Sequence, residues 1–258
     1  MAGLNPGGRR PAGDDGTADP TLAAVLARYA AGQESERVML TALARSRLLV
    51  PLVERPGDDT HDHQHGDDGC DHRMARDMAF PTLIGRDGRP ALLAFTSLAA
   101  LLGWRAEARP VPTPAGQVWG SAVDGQCAVV IDVAGPVPVA VDGARLAALA
   151  AGEPPPEPHT DPDIRADVAA ALAAVPARPG FPGVAGADLA PGPDGTDLSV
   201  RLLLQPAAPN QPGSGPPAAG RQLQQAVQQA AEAIAARLSG RLRRGIEFSA
   251  AAAPRPRG

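Results

Sequence analysis

The sequence contains no lysine: all 24 basic side chains are arginines, set against 28 acids. The formal net charge is −4 and the pI about 5.7, so bulk electrostatic attraction to nucleic acid has no basis. Aromatic residues are scarce, at 3%, so any core must be built from Ala, Leu and Val. There are two cysteines in dissimilar surroundings, Cys70 in a polar stretch and Cys127 at the head of an apolar one. That excludes a disulfide framework and fits a reducing compartment. No uninterrupted apolar run approaches the roughly 18 residues of a membrane-spanning helix. Arg9-Arg10 is not followed by the apolar segment of a signal peptide. A cytoplasmic protein without a membrane partner is expected.

What the chain has in quantity is Gly and Pro, 29 of each, beside a hydrophobic content of 44%. The missing lysine and the abundant Ala, Gly and Pro together fit the coding bias of a GC-rich genome. At 258 residues there is room for one large domain or two small ones of roughly 100–150 residues. Residues 1–20 read as a disordered tail. Thr21 is a helix N-cap candidate, with Leu22, Val25, Leu26 and Tyr29 following at helical spacing. A second helix is expected over residues 35–44, with Val38 and Leu43 inward. Leu48–Val53 reads as a strand in which Pro51 restricts hydrogen bonding to one side.

Residues 55–76 form a polar, His-rich loop. Met78–Gly85 and Ala91–Phe95 read as strands joined by a hairpin at Arg86-Asp87-Gly88-Arg89, because Asp-Gly supplies the left-handed backbone such turns need. Thr96 or Ser97 caps a short helix that Trp104 closes against the sheet. A helix over residues 114–122 leads to Cys127–Val133, an apolar run typical of a central strand. Val137–Val141 pairs back, and Asp142 is positioned to cap a helix ending near Ala151. Residues 152–160 are a proline-rich linker. Asp161 then caps a helix with Pro162 at its first position. Leu198–Leu204 is a strand, 206–219 a flexible loop, Arg221–Leu238 a helix and Gly245–Ala250 a last strand. Residues 251–258 read as a second disordered tail. The fold class expected is α+β: a mixed or antiparallel sheet flanked by helices over residues 21–151, then a smaller α+β domain over 161–250.

Several of these segments resemble one family. Leu49–Val53, Met78–Leu83, Gly85–Gly88, Phe95–Ser97 and Asp132–Val137 follow the pattern of the SseB family, named for enhanced serine sensitivity, in its actinobacterial branch. The resemblance covers residues 21–151, with 161–250 similar to the family's C-terminal domain. It implies an α+β N-terminal domain and no established reaction. Where relatives carry a Glu-Lys-Ser-Ser-like segment, this chain has Arg73-Met74-Ala75-Arg76.

Candidate chemistry is sparse. His61, His63, His65, Cys70 and His72 could ligate Zn²⁺ or Ni²⁺, and residues 54–77 carry eight acids against three arginines, which attracts cations. Their spacing is not that of a structural zinc site, and a solvated variable loop is the plainer reading. Cys127 has no histidine near it in sequence and reads as a small hydrophobe. Asp124, Asp132 and Asp142 read as turn and cap residues. Arg237, Arg241, Arg243, Arg244, Arg255 and Arg257 suit a helix C-terminus better than a nucleic-acid surface. The glutamines at 222, 224, 225, 228 and 229 form a solvated face. Convergence of Arg86, Arg89, Trp104 and the histidine loop would mark a binding surface. These residues assign no catalytic, cofactor or metal position. The expectation is a non-enzymatic protein that binds another protein or a small ligand. Metal handling by residues 61–72, or an enzyme whose site the sequence does not assemble, are the alternatives. The oligomeric state is open.

Overall fold

The computed structural model describes residues 15–54, 78–79, 82–85, 88–175, 183–193, 195–205 and 216–253. The histidine loop, including Cys70, therefore lies outside the described residues, as do Arg86, Arg255 and Arg257. The architecture is α+β. Contacts divide the chain into two compact units, residues up to 27 with 40–155, and residues 28–39 with 156 onward.

In the first unit, β1 (Arg47–Glu54) runs antiparallel to both β2 (Met78–Ala79) and β5 (Arg109–Pro114), in the order β2-β1-β5. A second sheet has the order β3-β4-β6-β7, from Thr82–Ile84, Pro90–Ala94, Ala128–Ile131 and Val139–Val141. Its central pair, β4 and β6, is parallel, and its outer pairs are antiparallel. Leu49 and Phe95 join the two sheets by exchanging backbone hydrogen bonds of 2.7 and 2.8 Å. Residues 78–85, expected as one strand, are divided between the sheets, Met78–Ala79 pairing with β1 and Thr82–Ile84 with β4.

The Leu49–Phe95 exchange also explains how prolines occupy a paired strand. Leu49 spends its N–H and C=O on Phe95, so its pairing with Pro112 on β5 is the non-hydrogen-bonded kind. Alternation extends this to Pro51↔Pro110 and Arg47↔Pro114. The missing N–H groups of Pro110, Pro112 and Pro114 thus point away from β1, and that of Pro51 away from β5.

Helices α3 (Leu98–Trp104), α4 (Ala115–Asp124) and α5 (Gly143–Ala150) belong to this unit. Leu49, Leu93, Phe95 and Leu101 are fully withdrawn from water, with the Trp104 ring 5.7 Å from that of Phe95. Each such side chain contributes about 1.5–3 kcal/mol. Helix α1 (Pro20–Ala30) buries Leu22, Val25, Leu26 and Tyr29 as its spacing requires. Its cap is Asp19 rather than Thr21: the Asp19 carboxylate accepts the Thr21 N–H at 2.7 Å, and Pro20 takes the first helical position. Residues 15–20, expected in the tail, are thereby ordered. Helix α2 (Glu36–Ala44) buries Glu36, Met39, Leu40 and Leu43, leaving Val38 exposed, contrary to expectation. The inward stripe follows i, i+3, i+4, i+7 from Glu36, and Val38 lies off it.

In the second unit the sheet order is β10-β9-β8, from Ile246–Ala252, Leu198–Gln205 and Gly183–Pro191. β9 is parallel to β10 and antiparallel to β8. Alternation on β9 sends Leu198, Val200 and Leu202 inward and Arg201 outward. They meet Ile164 and Val168 of α6 (Pro162–Ala174) and Ile234 and Leu238 of α7 (Pro216–Leu238). Helix α7 begins at Pro216, ahead of the expected Arg221. No helix among the described residues is long and apolar enough to cross a membrane.

Candidate functional site

Because β4 and β6 are parallel, the segments following them emerge side by side. Thr96 leaves β4 and Asp132 leaves β6. Asp132 adopts a left-handed backbone conformation (φ 48°), which aspartate tolerates better than most residues. Its carboxylate accepts the Thr96 N–H at 2.8 Å and the Thr96 hydroxyl at 2.6 Å. The pair is buried, with Asp132 only 4% exposed. Burial pushes the Asp132 carboxyl above its ordinary range, and the two Thr96 donors oppose that rise. Gly135 closes the turn by donating its N–H to the Asp132 carbonyl at 2.7 Å. A Cβ at Gly135 would stand 2.8 Å from that of Asp132.

Ser97 is the cap of α3, its hydroxyl accepting the Ala100 N–H at 3.1 Å. Over this corner lies the segment that precedes α1. The Gly16 carbonyl accepts the Leu98 N–H at 2.7 Å. The Arg47 guanidinium donates to the Thr17 carbonyl at 3.0 Å and to the Thr96 carbonyl at 3.2 Å. Arg47 and Gly16 carry no local signal of these partners, and the sequence alone did not single them out.

A second polar group sits at the start of α5. Asp142 occupies the N-cap position but makes no side-chain cap bond, contrary to expectation. Its carboxylate is held by the buried Arg145 and, at 3.1 Å, by Arg89. Burial alone would raise the Asp142 carboxyl; the two guanidinium groups outweigh it and hold the group below its usual range. Arg89 is therefore engaged here, while Trp104 packs on Phe95 and beneath the Arg105 guanidinium, 5.3 Å from the ring centre.

In the second unit Arg241 binds two buried carboxylates. It reaches Glu36 at 3.1 Å and also donates to Asp161, which is simultaneously the cap of α6. Burial would lower the Arg241 pKa, but Glu36 and Asp161 reverse this and raise it. Arg237 pairs with Asp167 at 3.5 Å, Arg243 stacks 5.1 Å from the Tyr29 ring centre, and the Arg244 N–H donates to Asp197 at 3.0 Å. The described arginines of the C-terminal cluster thus have partners within their own unit. The five glutamines of α7 are exposed.

Cys127 is half-buried and donates its thiol to the Ala122 carbonyl at 3.5 Å. Burial pushes that thiol up, away from thiolate chemistry. Asp124 is exposed at the end of α4, and Asp132 and Asp142 serve different partners. Among the described residues no group of three or more His, Cys, Asp or Glu could hold a metal ion. Comparison with curated proteins and with solved structures gives no match. Residues 22–148 match the family model of the SseB protein N-terminal domain.

Proposed function

From the premise that this chain belongs to the SseB family through its N-terminal domain at residues 22–148, we propose that it is a non-catalytic cytoplasmic protein that acts by binding a protein or a small ligand. One observation carries the reading. Two polar residues of the segments that identify the domain, Thr96 and Asp132, are spent on holding those segments together. Thr96, in the Phe95-Thr96-Ser97 segment, is bonded to Asp132, which opens the Asp132–Val137 turn. A buried carboxylate satisfied by two fixed donors positions backbone, whereas a general base must reach a proton of its substrate. The half-buried, raised Cys127 thiol supports the same reading. With the Arg237–Arg244 cluster engaged internally and a net charge of −4, nucleic acid is not the partner proposed.

The test is affinity capture on the immobilised full-length chain, with the free chain as competitor, beside a turnover screen against acyl, phosphoryl and glycosyl substrates. Saturable, competed retention of a defined partner is expected. Measurable turnover without such retention would overturn the reading.

The histidine loop supports metal handling as a second reading, on its four imidazoles, one thiol and acidic surroundings. Calorimetry with Zn²⁺ and Ni²⁺ decides it. A built site should bind at or below about 1 μM, roughly 8 kcal/mol of free energy, and lose this when the four histidines become alanine. Weaker binding, unaffected by those changes, removes the reading.

A further inference from the structure

The corner formed by Thr96, Ser97 and Leu98 is already occupied by an extended piece of this chain. Residues 15–18 cross it with two adjacent carbonyls engaged, Gly16 with the Leu98 N–H at 2.7 Å and Thr17 with the Arg47 guanidinium at 3.0 Å. Gly16 has φ 81°, and a Cβ there would stand 3.1 Å from the Leu98 Cβ, so the segment fits closely only because that residue has no side chain. Asp15 holds the bend, accepting from the Thr17 N–H at 2.9 Å and from its hydroxyl at 2.7 Å.

The way the segment is attached sets it apart from the body beneath. Asp15 and Thr17 are exposed, and the segment buries no large apolar side chain. Just below, Phe95, Leu101 and Ile131 are fully buried. Segments held by a few polar bonds open at much lower free energy than a packed core. Opening leaves the Asp132–Thr96 pair intact, because that pair lies within the β4–β6 corner.

We propose that residues 15–18, ending before Asp19, which stays on α1 as its cap, are an autoinhibitory strap. It opens as a unit while the N-terminal domain stays folded, and it occupies the place where an extended partner peptide lays two successive backbone carbonyls on Leu98 and Arg47. This rests on the binding reading above and gives it a location and a partner chemistry. The strap's own sequence, Asp15-Gly16-Thr17, supplies the probe.

Single-amide hydrogen exchange on the full-length chain reads the strap directly, because each amide has one known acceptor. Leu98 reports the strap, Leu101, which donates to Ser97, reports α3, and Asp132, which donates to Ala94, reports the sheet. Leu98 is expected to exchange about 100-fold faster than Asp132. Gly16→Ala should speed Leu98 by about a further tenfold, from the left-handed penalty, and leave Leu101 and Asp132 unchanged. A synthetic peptide covering residues 13–19 should then shift the Leu98 and Arg47 resonances in the Gly16→Ala chain far more than in the wild type. Arg47→Lys, which keeps the charge but loses the planar fork, should weaken that response.

Leu98 exchanging in step with Asp132 would overturn the strap. A peptide response equal in both chains, or absent from both, would overturn the docking place. Either failure leaves the capture experiment of the preceding section free to succeed, so the two ideas fail separately.

Discussion

Asp132 has two properties that pull apart under mutation: it satisfies two donors, and it is a buried charge. Asp132→Ala removes both acceptor oxygens, leaving the Thr96 N–H and hydroxyl without them, and also puts alanine at φ 48°. A loss of about 2–4 kcal/mol in denaturant unfolding is expected. Asp132→Asn keeps an oxygen for the N–H and tolerates the backbone, so its cost at neutral pH should stay within about 1 kcal/mol. The sign with pH follows from the raised carboxyl. A group with a higher pKa folded than unfolded favours folding fully below its unfolded value, about 3.9, and that contribution is lost as pH rises through the folded value. Wild-type stability should therefore fall relative to Asp132→Asn as pH is raised from about 4. Parallel pH profiles for the two chains would contradict this. Asp142 behaves in the opposite sense, since its held-down carboxyl contributes above its unfolded value and loses that contribution as pH falls.

Among the elements, helix starts were the most legible and also the most easily misplaced by one or two residues. Asp161-Pro162 was readable as a cap and first turn, and the Asp163 N–H does donate to Asp161 at 2.8 Å. Asp19-Pro20 is the same dipeptide in the same role, but the Gly- and Pro-rich stretch before it hides the signal and leaves Thr21 as the cap that spacing predicts. Asp19→Ala should cost about 1 kcal/mol, and Thr21→Ala only a few tenths, in thermal unfolding of the full chain. The β3–β4 hairpin and the return of β7 onto β6 followed from apolar runs and turns, but the strand order and the parallel pairing of β4 with β6 did not. Periodicity gives faces but not neighbours, so it could not bring Thr96 to Asp132, or turn Asp142 from its helix to Arg145 and Arg89. The proline-bearing edge β5 was likewise unreadable as a paired strand, because its pairing depends on Leu49 turning its N–H and C=O to Phe95. With outward donors missing at 110, 112 and 114, this edge offers little to an incoming strand. Pro112→Val restores one donor, and a rise in self-association by light scattering, at unchanged thermal stability, is expected.

At the scale of the whole molecule, the succession of expected strands and helices pointed to the class, α+β. It gave no hint that residues 28–39 group with 156 onward. A helical hairpin reads the same whichever body it packs against. Its distant partners, Glu36 with Arg241 and Tyr29 with the carbonyls of Gly240 and Arg241, carry no local mark. Arg241 is the residue on which this second unit can be tested. Its removal would leave Glu36 and Asp161 as buried carboxylates without their cation, at a cost of about 3–5 kcal/mol. Arg241→Ala should therefore accelerate amide exchange across β8, β9 and β10. Unchanged exchange there would mean that water already shares those carboxylates.

Because the second unit is assembled from two separate stretches of sequence, the backbone passes between units three times, near residues 27, 39 and 155. A protease nick in the proline-rich stretch would thus not release two finished halves. The C-terminal piece would leave behind the glutamate that neutralises Arg241, the tyrosine under Arg243 and Gly32, where a Cβ would stand 2.7 Å from the Arg243 carbonyl. Nicked chains should stay associated through gel filtration, and a recombinant 156–258 piece should need the 20–39 hairpin added back before it folds.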